Sequence, residues 1–160
     1  MNAREAIRLS IDTGNMVAMA YLGDLSDADL MRRAAPGINH INWQLGHLIA
    51  SEHGMISQAC PGSMPALPAG FAEKYTKETA ASDDPTKFCS KDELLQVAAA
   101  QRAATLAALD KQSDADLDRA TGIEYAPTVA HLFSLQGGHF LMHAGQWAVV
   151  RRQLGRPPLF

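Results

Sequence analysis

The sequence predicts a single all-α domain, a four-helix bundle with a long connection between its second and third helices. Three long segments carry apolar residues at helical spacing and a fourth is implied, and capping or stop signals bound these segments. The chain has 160 residues, of which 47% are hydrophobic and 19% charged, the size and composition of one ordinary globular domain. We therefore expect residues 1–160 to fold as one unit.

Each of the four predicted helices has a signal at one or both ends. Asn2 and Glu5 are spaced as a capping pair before the first helix, and Ser90-Lys91-Asp92-Glu93 is a capping box before the third. Pro61-Gly62 stops the second helix, and a glycine followed by a proline stops the fourth. The predicted helices span about residues 3–22, 38–60, 90–110 and 127–154.

Two features lie between the predicted helices. The pentapeptide Ser26-Asp27-Ala28-Asp29-Leu30 recurs verbatim at residues 113–117. Each copy is predicted to cap a short helix, and the repeat indicates two halves related by a pseudo-twofold axis, with a chance match as the alternative. The stretch 61–89 contains four prolines and no helical stripe. Loops of that length are usually functional covers or disordered, and its aromatic residues favour an ordered flap: Phe71, Tyr75 and Phe88.

Charge and apolar patterning argue against several classes of protein. The formal net charge is −3 and no Lys/Arg-rich tract is present, so we expect no nucleic-acid partner. The N-terminus lacks an apolar signal-peptide core, and no apolar stretch approaches the length of about 18 residues that a membrane span needs. We therefore expect a cytoplasmic protein. Cys60 and Cys89 lack the spacing of a metal or redox motif, which favours two free thiols.

Histidines on two predicted helices form a candidate metal site. His139 and His143 lie four residues apart, which places them on one helical face with β-carbons about 6 Å apart, and Gln146 follows on the same stripe. On the second helix His47 belongs to a polar stripe beside the apolar face, and His40 is the reserve candidate. Such stripes on neighbouring helices can assemble a metal site. The alternative is that His139 and His143 are ordinary partly buried or surface histidines.

Two further patterns bear on the chemistry. No glutamate lies between His139 and His143, so this is not the H-E-x-x-H motif of zinc proteases, and the Glu-x-x-His pairs of di-iron bundles are absent too. Glu52 and Arg102 interrupt the apolar stripes of the second and third helices. We interpret them either as an interhelical salt bridge or as side chains that reach water. A more specific hypothesis is that Arg102 binds a substrate carboxylate while Glu52 orients a metal-bound group.

Two motifs resemble those of a known family. The segment Trp43-Gln44-Leu45-Gly46-His47-Leu48-Ile49 resembles the W-x-L-x-H-L motif on the second helix of the DinB/YfiT-like proteins. The segment from His139 to Gln146, followed by Arg-Gln-Leu-Gly at 152–155, resembles their last-helix motif H-x-x-x-H-x-G-Q ending in R-x-L-G. The order and separation of the two motifs agree over nearly the whole chain, including the long connection.

The resemblance implies a four-helix bundle whose three histidines bind zinc, nickel or a similar divalent ion. These residues are here His47, His139 and His143. It also implies a homodimer and, for the members that are understood, a small-molecule substrate and a thiol-dependent transferase activity. Three neutral imidazoles leave the ion its full charge and an open position, and a thiol bound there is deprotonated.

The leading hypothesis is therefore a metal-dependent enzyme that activates a low-molecular-weight thiol for S-transfer to a small electrophile. Gln146 is expected to hydrogen-bond a ligand or a metal-bound group, and the flap at 61–89 to form part of the pocket. Two alternatives stay open. One is a hydrolase that uses a metal-bound water with Glu52 as the base, and the other is a non-enzymatic metal-binding stress protein.

Overall fold

The four predicted helices are present, with shorter elements between them. The computed structural model describes residues 1–160. The elements are helices α1 (Ala3–Leu22), α2 (Asp27–Leu30), α3 (Ile41–Ala59), α4 (Lys91–Asp110), α5 (Asp114–Leu117) and α6 (Val129–Gln153), 3-10 helices at Ala72–Tyr75 and Pro85–Lys87, and strands β1 (Ala120–Ile123) and β2 (Ala126–Thr128). The all-α prediction is confirmed, and the long helices begin and end within a few residues of the predicted positions. None of these helices is both long and apolar enough to cross a membrane.

Local capping explains where the long helices begin and end. The side chain of Asn2 accepts a hydrogen bond from the Glu5 backbone N–H, and Glu5 accepts one from the Asn2 N–H, each at 3.0 Å. Ser90 and the third residue of α4 form the same reciprocal pair, and such caps stabilise a helix by about 1 kcal/mol. At its other end α6 stops before Gly155, whose φ of 73° suits glycine.

The repeated pentapeptide forms two short capped helices. Ser26 accepts from the Asp29 N–H at 3.2 Å, while the Asp29 carboxylate accepts from the Ser26 N–H at 2.9 Å. Ser113 and Asp116 form the same two bonds at the start of α5. The prediction of two short helices is confirmed, and the pseudo-twofold relation between the halves stays a prediction.

Two close approaches hold the long helices together. Helix α1 packs along α6, where Gly14 and Gly137 let the two backbones meet, because a β-carbon on either glycine would overlap backbone atoms of the facing helix. Helix α3 packs against both α4 and α6. Helix α6 therefore contacts both α1 and α3. The second of these contacts brings residues of α3 and α6 side by side.

The connection between α3 and α4 is an ordered cover, as predicted. Its aromatic residues Phe71, Tyr75 and Phe88 are buried in the same core cluster as Trp43 on α3. The ring of Tyr75 lies directly over Gly46, where a β-carbon would overlap it. This contact explains the glycine before His47, because any side chain at position 46 would push the cover away.

A β-hairpin between α5 and α6 was not predicted. Strands β1 and β2 pair antiparallel, with an irregularity between Ala120 and Ile123. The sequence prediction was a direct entry into the last helix near Pro127 or Thr128, and Thr128 does cap that helix by accepting from the His131 N–H. The hairpin places Tyr125 at its turn, beside α3 and α6.

Candidate metal centre

Three histidines from two helices converge on one point. His47 lies on α3, and His139 and His143 lie one turn apart on α6. One ring nitrogen from each lies within 4.8 Å of the others. The ring centroids are 5.4 Å apart for His47 and His139, 6.0 Å for His47 and His143, and 5.1 Å for His139 and His143. The structure thus brings together all three residues that the sequence predicted as metal ligands.

The His47 ring is held by a stacked tryptophan. Trp43, one turn earlier on α3, lies parallel to it, with centroids 5.0 Å apart and an interplanar angle of 5°. The Trp43 indole N–H donates to the Thr76 carbonyl and to the Thr79 hydroxyl, each at 3.1 Å. The cover between α3 and α4 therefore acts on the histidine cluster indirectly, by fixing the indole against which His47 packs.

Gln44 determines which nitrogen of His143 is free. Its Oε1 accepts from the Trp147 indole N–H at 2.8 Å and lies 3.1 Å from His143 Nδ1. An indole nitrogen can only donate, so this atom of Gln44 is the amide oxygen. His143 Nδ1 must therefore carry the hydrogen, which leaves the lone pair of Nε2 available for a metal.

The other end of the Gln44 amide is also satisfied. Its Nε2 donates to the Asn39 carbonyl at 2.5 Å and to Gln146 Oε1 at 2.7 Å. Gln44 thus makes four hydrogen bonds while 98% buried. Hydrogen bonds of this kind to a ligand histidine fix its orientation and tune its metal affinity.

Burial favours the neutral form of all three histidines, the form in which imidazole binds a metal. Burial lowers the pKa of His47. Burial, assisted by the neighbouring histidines, lowers the pKa of His139 and that of His143 to about 4. No acidic side chain belongs to the cluster, so nothing there opposes this effect.

The donor set fits a divalent ion of the zinc type. Zinc with three histidine ligands binds each nitrogen at about 2.0–2.1 Å in tetrahedral geometry, so that the ligand atoms stand roughly 3.3 Å apart. The observed nitrogens lie within 4.8 Å of one another, a gap that small side-chain rotations close. Three residues can therefore hold the ion, and a fourth position remains for another ligand.

A cavity of about 500 Å³ opens beside His47 and His139. Its remaining walls come from α3, α6 and the hairpin, and they are Ser51, Met55, Tyr125, Leu135, Gly138 and Met142. His143 is not part of the lining, so the histidine cluster faces the cavity through its other two rings. The volume is that of a small-molecule site.

Comparisons with known proteins agree with this architecture. The family model of the DinB superfamily matches residues 11–147. The chain belongs to the DinB superfamily. A crystal structure described as a conserved protein from Enterococcus faecalis is similar over 98% of this chain and 99% of its own, with a TM-score of 0.71 at 18% identity, which supports the fold. No curated protein matches the chain.

In this DinB-superfamily chain, His40 is a helix cap and does not join the cluster. It is fully buried, its Nδ1 accepts from the Trp43 N–H at 3.0 Å, and its Nε2 lies 3.2 Å from the Ser82 carbonyl. Both ring nitrogens are thus occupied, so the reserve candidate has no free lone pair. His131 is exposed beside Thr128.

Glu52 and Arg102 bind each other. Arg102 Nη2 lies 3.1 Å from Glu52 Oε2, both side chains are buried, and the guanidinium lies 4.6 Å above the Phe140 ring. Neither residue lines the cavity beside the histidines. Of the two interpretations of this pair, the structure shows the interhelical salt bridge. The opposite charge of Arg102 counteracts the effect of burial, which raises the pKa of Glu52.

One expectation about the pocket walls needs correction. The stretch 61–89 does not line the cavity beside the histidines. Its residue Tyr75 packs on Gly46, so the stretch covers a different side of α3. The wall that the sequence analysis missed is the hairpin residue Tyr125. Gln146 Oε1 accepts a hydrogen bond from Gln44, and its expected contact with a ligand or a metal-bound group stays a prediction. The local signal for the hairpin was weak, a single glycine, Gly122, in a short alternating stretch.

Proposed function

We propose that this protein is a metal-dependent enzyme that activates a low-molecular-weight thiol for transfer to a small electrophile. His47, His139 and His143 would hold one divalent ion, zinc or nickel. The observation that carries the proposal is the convergence of three neutral imidazoles at the edge of a small-molecule cavity. Membership of the DinB superfamily supports it. From the family resemblance we also propose that the protein is a homodimer and is located in the cytoplasm. Light scattering on the purified protein measures its oligomeric state.

Different side chains would hold the ion, orient its ligands and contact the substrate. When bound, the ion would supply Lewis acidity, which lowers the pKa of a thiol or water at its open position. His139 and His143 would grip it from α6, and His47 from α3. Gln44 keeps His143 in the tautomer whose Nε2 lone pair is free for the ion. The largely apolar walls of the cavity would contact a small electrophile beside the ion.

A hydrolase is the weaker candidate. Such an enzyme needs a general base within hydrogen-bond reach of its nucleophile. Glu52, the base that the sequence suggested, is paired with Arg102 and lies outside the cavity lining. A non-enzymatic metal-binding protein is the other candidate, and it requires that the ion chiefly stabilise the bundle.

Metal analysis and a transfer assay test the proposal together. Protein purified without a histidine tag is expected to contain about one zinc or nickel ion per chain. With zinc it should transfer a simple thiol to a model electrophile, and His143→Ala should abolish both the ion and the transfer. His131→Ala is the matched control, because His131 lies exposed on the same helix. Full activity after exhaustive chelation would contradict the proposal.

A thermal melt separates the enzyme from the stabilising-metal alternative. The four long helices pack through apolar cores on both sides of the site, so we expect chelation to lower the melting temperature only modestly. A large drop together with no measurable ligand binding would favour a structural role for the ion.

A further inference from the structure

We infer that Trp43 and Thr79 are positioning residues for the candidate metal centre, and that an ion bound by His47 would in turn stabilise the cover between α3 and α4. The inference rests on the proposed function, since it concerns how the same site would hold its ion. It gives a role to Thr79, which lies 32 positions (79 − 47) along the chain from His47.

The side chain of Thr79 joins the cover to Trp43. Its hydroxyl accepts from the Trp43 indole N–H at 3.1 Å and donates to the Lys74 carbonyl at 2.8 Å. The Thr79 backbone N–H donates to the Thr76 carbonyl at 3.2 Å, and that carbonyl is the second acceptor of the indole N–H, at 3.1 Å. The turn at residues 74–79 therefore holds both acceptors of the indole in fixed positions.

The fixed indole in turn restricts the ring of His47. Trp43 is buried, with 6% of its surface exposed, and the two rings are stacked with centroids 5.0 Å apart and an interplanar angle of 5°. A second contact acts beside the first, because the ring of Tyr75 lies on Gly46, the residue before His47. The cover thus packs on α3 both one turn before His47 and at the adjacent residue.

Stacking on an indole favours the metal-bound form of an imidazole. The face of an indole carries negative electrostatic potential and attracts positive charge, and coordination to a divalent ion draws electrons from the imidazole ring. The imidazole also loses rotational freedom when it binds an ion, and a ring that is already held in place loses less. Both effects should make the three histidines bind an ion more tightly when Trp43 is anchored than when it is free to move.

This coupling must act in both directions. If the anchored indole raises the affinity of the site for an ion, the bound ion stabilises the anchored indole by the same free energy. The cover should then open less often when the ion is bound, and its backbone amides should exchange more slowly with solvent. Amide exchange therefore reports the coupling independently of any catalytic activity.

Zinc affinities of single and double variants, measured by competition with a chelator, test the role of Thr79. Thr79→Val should weaken zinc binding about threefold or more, and Thr79→Ser should restore it. Thr86→Val is the matched control, because the Thr86 hydroxyl lies in the same cover and donates to Asp84 in an exposed turn. Trp43→Phe keeps a ring to stack on His47 and removes the indole N–H. It should weaken zinc binding at least as much, and adding Thr79→Val to it should have no further effect.

Hydrogen exchange followed by mass spectrometry tests the reverse effect. Zinc should slow exchange in residues 71–82 of the wild type by about the factor that Thr79→Val costs in affinity, threefold or more. The slowing should be smaller in Thr79→Val. Exchange in α5 is the internal control, because its Leu117 packs in the other core cluster, away from Trp43.

The outcomes separate this inference from the proposed function. Equally tight zinc binding by the wild type and Thr79→Val would overturn the role of Thr79 and leave the metal site intact. Additive losses in the double variant would show that Thr79 does not act through the indole of Trp43. Exchange in the cover that zinc leaves unchanged would overturn the reverse effect. If the wild type binds no zinc, the proposed metal site fails and the inference fails with it.

Discussion

Replacing Gln44 with leucine tests whether its buried side-chain amide orients His143 and so raises the zinc affinity of the candidate metal site. The substitution removes the oxygen that binds both His143 Nδ1 and the Trp147 indole N–H. It also removes the donor to the Asn39 carbonyl and to Gln146. Leucine has a similar size and suits a helix, so the backbone of α3 should persist.

The magnitude follows from the donors left without a partner. Trp147 is fully buried, and a buried donor without a partner costs about 1–3 kcal/mol. His143 Nδ1–H adds a second such group, partly relieved because that ring is only half-buried. We expect Gln44→Leu to lower the free energy of unfolding by about 3 kcal/mol. Loss of an orienting partner should also weaken zinc binding by about 10–100-fold.

Two measurements on the same samples separate stability from affinity. Urea unfolding with chelator gives the free energy of unfolding of the metal-free protein, and competition with a colorimetric chelator gives the zinc affinity. Gln44→Glu is the informative companion, because a carboxylate still accepts from His143 and Trp147 but can no longer donate. It should keep most of the zinc affinity while losing stability.

Gln146→Leu serves as the control for this series. It removes one hydrogen bond to Gln44 at a half-buried position that water can reach, so its cost should be about 1 kcal/mol and its effect on zinc small. The reasoning about His143 would be refuted if Gln44→Leu bound zinc as tightly as the wild type. It would also be refuted if Gln146→Leu weakened zinc binding as much as Gln44→Leu.

Three further predictions concern the helices that hold the site in place. Burial and a neighbouring arginine lower the pKa of His40 to about 4, so the stability that His40 contributes is complete above pH 6.5 and is lost as the pH falls towards 4. Urea unfolding at pH 6.5 and pH 4 should show a smaller loss of stability in His40→Asn than in the wild type, by up to about 3 kcal/mol, because the other buried histidines titrate in both proteins; equal losses would contradict this. Arg102→Met should lower the free energy of unfolding by about 3–5 kcal/mol, because it leaves Glu52 buried without its partner. Adding Glu52→Leu should restore much of this stability, which a thermal melt of both variants measures. A double variant no more stable than Arg102→Met would contradict this prediction. Gly137→Ala should destabilise by about 1–3 kcal/mol through overlap with α1, whereas Gly138→Ala, which meets open space, should not, and equal melting temperatures for the two would argue against the close approach.

Much of the helical frame could be predicted because its causes are local. The capping pair Asn2 and Glu5 and the box at Ser90 act within three residues, and the structure contains both. The spacing of His139 and His143 likewise follows from the helical repeat alone. The hairpin was missed because a short strand pair depends on contacts with the rest of the fold more than on its own sequence.

The ambiguous residues show where local reasoning stops. Glu52 and Arg102 interrupt apolar stripes, and the stripes alone allowed either a salt bridge or a substrate contact. The pair is separated by 50 positions along the chain (102 − 52), so only the packing of α3 against α4 could decide between them. His40 and His47 share one polar stripe, yet the cap at the start of α3 uses the first and leaves the second free.

The four long helices, the N-terminal caps of the first and third, and the pair of imidazoles one turn apart on α6 could be predicted from the sequence, because these depend on interactions within a few residues. Local sequence could not show that His47 meets that pair, that Gln44 orients His143 across 99 positions, or that Tyr125 lines the cavity. Those relations depend on how whole helices pack, and packing is set by the sum of many weak contacts between residues far apart in the chain.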